Sequence, residues 1–130
     1  MVLHTQLNCM TQWQMVSSRA YDDPFNEVEL DVVVTGPDGG SQRVPAYWAG
    51  GQAWNVRYSS QQVGLHTWRS ACSDESNQGL HGIEGEIEVA PYLGSNHLMA
   101  RGPVGVFHTA RYLEHADGRP FLWLGDTWWM

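Results

Sequence analysis

Three glutamates at alternate positions, Glu84, Glu86 and Glu88, have the spacing in this sequence best suited to acid–base chemistry. On an extended strand, residues two apart share a face and lie about 7 Å from one another. That is close to the separation of carboxylate pairs that hydrolyse glycosides. A working pair also needs one carboxyl kept protonated by apolar surroundings. Here the acids alternate with Gly85, Ile87 and Val89, the pattern of a strand with one face in water, and nothing apolar flanks the carboxylates. The trio reads as a solvated face, and no residue is assigned a catalytic role.

The remaining chemistry-bearing residues are scattered. His4, His66, His81, His97, His108 and His115 form no HxH or HExxH pair. There is no GxSxG elbow, no Walker A loop and no GxGxxG after a strand, and Gly102-Pro103-Val104-Gly105 is a turn rather than a phosphate cradle. Cys9 and Cys72 make neither a CxxC motif nor a Cys/His cluster, so they are either two thiols or one bridge between strands. The sequence predicts no metal and no cofactor.

Seven tryptophans in 130 residues are more informative. Large aromatics mostly fill cores, and their flat faces also stack on sugar rings. Trp54 and Trp68 alternate with polar neighbours and are predicted to face the core. Trp48, beside Gly50-Gly51, reads either as a core residue or as an exposed sugar platform. Arg57 and Arg69, each next to an inward aromatic, are predicted on the solvent face, covering apolar surface and pairing with acids.

The elements that must position these residues have period 2 nearly throughout. Over 27–35, Val28, Leu30, Val32 and Val34 share one face with Glu27, Glu29 and Asp31 on the other, and Gly36-Pro37-Asp38-Gly39-Gly40 ends that strand. Val44, Ala46 and Trp48 share a parity through a second strand, and Gly50-Gly51 closes the next hairpin. Trp54, Val56 and Tyr58 follow, then a stretch over 66–72 centred on Trp68, then Ile83, Ile87 and Val89 up to Pro91. Leu7, Cys9, Trp13 and Met15 suggest an opening strand. Residues 106–114 read as β, Asp117-Gly118 as a hairpin turn, and 121–124 as the return. The longest polar loop is 73–82, residues 92–102 form a connector, and no window has a 3.6-residue period. About seven or eight short strands at this spacing predict an all-β, antiparallel sandwich.

Length and composition set limits on function. One domain is expected at 130 residues, with 42% hydrophobic and only 16% charged residues. Seven Arg and no Lys stand against 14 acids, a net charge of −7, which disfavours nucleic acid. No apolar run approaches the roughly 20 residues of a membrane span. The start, MVLHTQLNCM, shows no signal peptide.

Several segments together resemble a known family. They are Tyr21-Asp22-Asp23-Pro24-Phe25-Asn26-Glu27-Val28-Glu29-Leu30, Val44-Pro45-Ala46-Tyr47-Trp48-Ala49-Gly50-Gly51 and Trp54-Asn55-Val56-Arg57-Tyr58. Gly64-Leu65-His66-Thr67-Trp68, Gly79-Leu80-His81-Gly82 and the closing Asp117-Gly118-Arg119-Pro120-Phe121-Leu122-Trp123-Leu124-Gly125-Asp126-Thr127-Trp128-Trp129 complete the set. In this order they resemble the immunoglobulin-like N-terminal accessory domain, itself a domain of unknown function, of apiosidase-like (β/α)8-barrel glycoside hydrolases. The resemblance covers residues 10–130.

It implies an immunoglobulin-like sandwich over 1–116, then over 117–130 a hairpin return and the first strand of the barrel, whose later strands and catalytic carboxylates lie outside these residues. Asp126 would sit at the carboxyl end of that strand, where barrel sites are built. There it would hydrogen-bond substrate hydroxyls, with Trp128 or Trp129 as a stacking wall. The implied partner is the catalytic barrel, which the sandwich packs against and orients, and a bacterial secreted or periplasmic setting would suit such a protein. The rival readings are an autonomous module binding poly- or oligosaccharide through Trp48, and an interaction domain unrelated to sugars. Self-association is expected through the apolar tail, which holds Leu122, Trp123, Leu124, Trp128, Trp129 and Met130 with only Asp126 charged.

Overall fold

Alternating burial turns the period-2 patterns into two sheets. The computed structural model describes residues 1–106 and 111–125, and the chain divides into two compact units, Met1–Pro91 and Tyr92–Met130. The first unit holds β1 (Val2–Gln6), β2 (Thr11–Val16), a four-residue helix α1 (Pro24–Glu27), β3 (Leu30–Thr35) and β4 (Ser41–Pro45). It continues with β5 (Tyr47–Gly50), β6 (Ala53–Tyr58), β7 (Gly64–Cys72) and β8 (Glu84–Ala90). One sheet has the order β1-β8-β7-β3-β4 and the other β2-β6-β5. The fold is an all-β sandwich, as expected. Its core joins Trp13, Met15, Trp54 and Val56 of the smaller sheet to Val32, Val34, Trp68, Ile87 and Val89 of the larger. The Trp13 and Trp68 rings meet between the sheets with centroids 5.1 Å apart.

Four expectations need correction. The opening strand is two strands in different sheets: Leu7 and Cys9 lie on a turn between them, where Asn8 has φ 62° and the Cys9 amide donates to the Gln6 carbonyl at 2.9 Å. β1 runs parallel to β8, so the sandwich is not wholly antiparallel. A parallel pair needs a long crossover, and here most of the unit intervenes. The Val44–Ala46–Trp48 parity also spans two strands, because β4 pairs with β3 and β5 with β6. The chain changes sheets at Ala46, whose amide donates to the Leu30 carbonyl at 2.8 Å. Finally, the strand expected from Glu27 starts at Leu30, because Pro24 sets the backbone for the first turn of α1. Val28 keeps its inward parity and is buried.

The polar loop over 73–82 is held by a buried amide. Asn77 is fully buried. Its Oδ1 accepts from the Ser18 amide at 3.1 Å, the Ser18 hydroxyl at 3.0 Å and the Gly79 amide at 3.1 Å, and its Nδ2 donates to Ser17 Oγ and the Tyr21 hydroxyl, each at 2.8 Å. A Cβ on Gly79 would lie 2.0 Å from the Val16 carbonyl oxygen, so only glycine permits this approach of loop to strand.

In the second unit lie α2 (His97–Arg101), β9 (Val104–Gly105) and β10 (Glu114–His115), β9 and β10 being antiparallel. The strand expected over 106–114 is reduced to β10 among the described residues; 107–110 lie outside them. Asp117-Gly118 does make the turn: Gly118 has φ 82° and the His115 amide donates to the Arg119 carbonyl at 2.8 Å. The return makes no regular strand, although the Phe121 amide donates to the Leu113 carbonyl at 2.8 Å.

Candidate functional site

The sheet change at Ala46 leaves β5 on the edge of the three-stranded sheet, and this decides the environment of Trp48. Trp48 pairs across the ladder with Trp54, so both rings point to the same side. Trp54 has the second sheet over it and is buried, whereas Trp48 stands at the rim, 38% exposed. Its indole N–H donates to the Gly51 carbonyl at 2.9 Å, across a turn in which Gly50 and Gly51 take φ of 106° and 54°. Phe25, on α1, is 73% exposed and lines the same cleft of about 300 Å³ with Tyr47, Glu29 and Asp31. Tyr47 is held from its other side: the Arg57 guanidinium lies over its ring, 5.1 Å from the centroid, and Gln12 Oε1 accepts from Tyr47 at 3.2 Å and from Arg57 at 2.8 Å. Asp31 pairs with Arg43. The Glu29 carboxylate makes no hydrogen bond or ion pair with another described residue.

Trp48 was legible as an aromatic beside a Gly-Gly turn. Phe25 and Tyr47 were not singled out, the first because it sits on a four-residue helix and the second because its parity opposes that of Trp48. The signal that could have found Phe25 is Asp23-Pro24-Phe25, a helix start carrying a large apolar side chain with no following turns to bury it.

The glutamate trio lies elsewhere, on the outer face of the larger sheet. Glu84 pairs with Arg69 at 3.3 Å and Glu88 with His4 Nδ1 at 3.1 Å, and Glu86 stands opposite Thr67. Both pairs are well exposed, and Glu86 is half-buried. A wider concavity of about 750 Å³ runs over this face, lined by Thr35, Thr67, Arg69, His81, Glu84 and Glu86 among others. The Trp68 indole lies in its lining but is buried. Arg57 and Arg69 are on the solvent face as expected, but among the described residues only Arg69 pairs with an acid while Arg57 bonds Gln12, and Trp54 and Trp68 are buried in the core. Cys9 and Cys72 are free thiols, and burial raises the pKa of the Cys72 thiol. Asp126, Trp128 and Trp129 lie outside the described residues. Just before them, Leu122, Trp123 and Leu124 are 77%, 74% and 82% exposed.

Residues 9–73, half of the chain, match the family described as Domain of unknown function (DUF5060). The chain belongs to that family. No curated protein matches this DUF5060 domain. Among solved structures, it is similar to a candidate glycoside hydrolase from Bacteroides vulgatus, with a TM-score of 0.74 at 16% identity. The match covers 92% of this chain and 21% of that protein, so the DUF5060 chain spans about a fifth of the length of its structural relative.

Proposed function

We propose that this chain is a non-catalytic accessory domain of a glycoside hydrolase, an immunoglobulin-like sandwich that packs against and orients a catalytic barrel. The observation that carries the reading is the match of nearly the whole chain to one fifth of a candidate glycoside hydrolase. Because a fold alone does not fix an activity, the reading draws further support from the glutamate face, where Glu84 and Glu88 are engaged in exposed pairs with Arg69 and His4. The apiosidase-like class, and roles for Asp126, Trp128 and Trp129 at the head of a barrel strand, come from the sequence resemblance.

The immunoglobulin-like reading is supported by the strand order. In such sandwiches the third strand lies beside the last two in one sheet, and the second lies in the other. Here β8-β7-β3 run together, with β4 beside β3 and β1 on the far edge, opposite β2-β6-β5. Trp13 on β2 and Trp68 on β7 meet between the sheets, on the two strands that antibody domains join by a disulfide. Two residues before Trp68, His66 bonds back to its own corner, with Nε2 2.9 Å from Ser60 Oγ and Nδ1 3.2 Å from the Gly64 carbonyl. An aromatic two residues before the second cysteine anchors the same corner in those domains.

The test is an assay of the 130-residue chain on aryl glycosides and plant polysaccharides. No turnover is expected. Turnover that disappears in Glu86→Gln would overturn the reading and place an enzyme on the outer sheet face.

A further inference from the structure

The proposed accessory role assigns nothing to the rim cleft. Three of the four tryptophans in the first unit, Trp13, Trp54 and Trp68, are buried, and only Trp48 opens to water. Its ring is fixed rather than loose, because the bond to the Gly51 carbonyl ties down the indole nitrogen. Phe25 and Tyr47 join it, and Tyr47 is fixed in turn by Gln12 and Arg57. Trp48 and Tyr47, held in place at the edge of a cleft of about 300 Å³, lose little conformational freedom when a ligand arrives.

We propose that this cleft binds a neutral oligosaccharide, one or two pyranose rings stacking on Trp48 and Phe25 while hydroxyls donate to Glu29. A sugar ring offers an apolar C–H face for the aromatics and hydroxyls around its edge, which is the chemistry of this cleft: ring faces beside an acceptor whose capacity is unspent within the described residues. The charge selects the class. Glu29 makes no ion pair with another described residue, Asp31 is already engaged by Arg43, and the chain carries −7. Uronic acid and sulfated chains are repelled. The inference stands apart from the accessory role, since a barrel-bound sandwich with or without a sugar cleft would be equally inactive in the hydrolysis assay.

The experiment is titration of the full chain with β-1,4-linked hexasaccharides of glucose, xylose and mannose, and with hexagalacturonate as the charged control. It follows the Trp48 indole N–H by two-dimensional NMR. A saturable shift is expected with at least one neutral hexasaccharide and none with hexagalacturonate at the same concentrations. Titration calorimetry reads the variants, since Trp48→Ala removes the reporting indole; that variant should bind about tenfold more weakly or worse, as for an aromatic anchor. Phe25→Ala should lower it measurably as well, and that variant keeps the fold because Phe25 is already exposed. The proposal is overturned if no neutral sugar moves the Trp48 signal, if both variants bind as well as the parent, or if the acidic sugar binds better.

Discussion

At the residue scale, Trp68 shows how burial and hydrogen bonding pull apart. It was legible as a core residue because it alternates with Thr67 and Arg69 along a strand. Its orphan nitrogen was not legible, since a missing partner depends on everything packed around the ring. The Trp68 Nε1–H is buried with no acceptor among the described residues, and so is that of Trp13. An unmet buried donor costs about 1–3 kcal/mol. The ring nevertheless fills the space between the sheets, resting on Gly85, where a Cβ would come within 2.7 Å of it. Trp68→Ala should therefore destabilise the sandwich by about 3–5 kcal/mol through the lost burial and the cavity. Trp68→Phe keeps part of the ring and removes the orphan donor, so its cost should be no more than about half of that. Urea unfolding of the three proteins decides it. A Phe variant as unstable as the Ala variant would mean that the indole N–H has a partner, such as a buried water.

At the element scale, the strands were legible and their partners were not. Alternation marks inward positions wherever a strand stays in one sheet, so Val28, Leu30, Val32 and Val34 were read as buried and are. It is blind to a change of sheet, because Val44, Ala46 and Trp48 keep their parity through the switch. The edge placement that opens Trp48 to solvent was therefore hidden. The loop over 73–82 was legible only as polar: Asn77 reaches partners in 17–21, some 60 residues earlier in the chain. This anchor extends to Asp74, which accepts from Tyr21 at 2.7 Å and pairs with Arg19 at 2.9 Å. The Ser76 hydroxyl first, and then Tyr21, hold the Asp74 carboxyl at about 2, below its ordinary 3.8. A depressed carboxylate stabilises the fold above its unfolded pKa, and that contribution is lost as pH falls through the folded value. Asp74→Asn should thus be less stable than the parent at pH 7, with the gap closing between 3.8 and about 2. Urea midpoints measured at neutral pH, near pH 4 and near pH 2 test this. A gap that stays constant down the series would show that the carboxylate charge contributes nothing to the anchor.

At the scale of the whole molecule, the two units differ in how they treat apolar residues. The sandwich encloses most of its large side chains and, besides the Phe25, Tyr47 and Trp48 rim, leaves scattered ones at the surface, as folded proteins commonly do. The second unit instead leaves three consecutive large apolar residues, Leu122, Trp123 and Leu124, almost fully exposed after the Phe121–Leu113 bond ends the return. An exposed run of this kind is a surface awaiting a partner. If about 400 Å² of it were buried between two copies, the gain would be about 10 kcal/mol. Association costs about 4–15 kcal/mol in lost freedom before any other penalty. The two nearly balance, so weak, concentration-dependent association is expected rather than a fixed dimer. Replacing Leu122, Trp123 and Leu124 together by serine removes the gain at positions outside the sandwich strands, the last of which ends at Ala90. Sedimentation of both chains over a wide concentration range, with far-UV circular dichroism as the control, makes the comparison. The parent should shift toward faster-sedimenting species as concentration rises and the triple variant should remain a monomer. If the parent is also monomeric throughout, or if the triple variant unfolds the sandwich, these side chains belong to the chain's own packing, and the proposal that this segment leads into a barrel loses its physical basis.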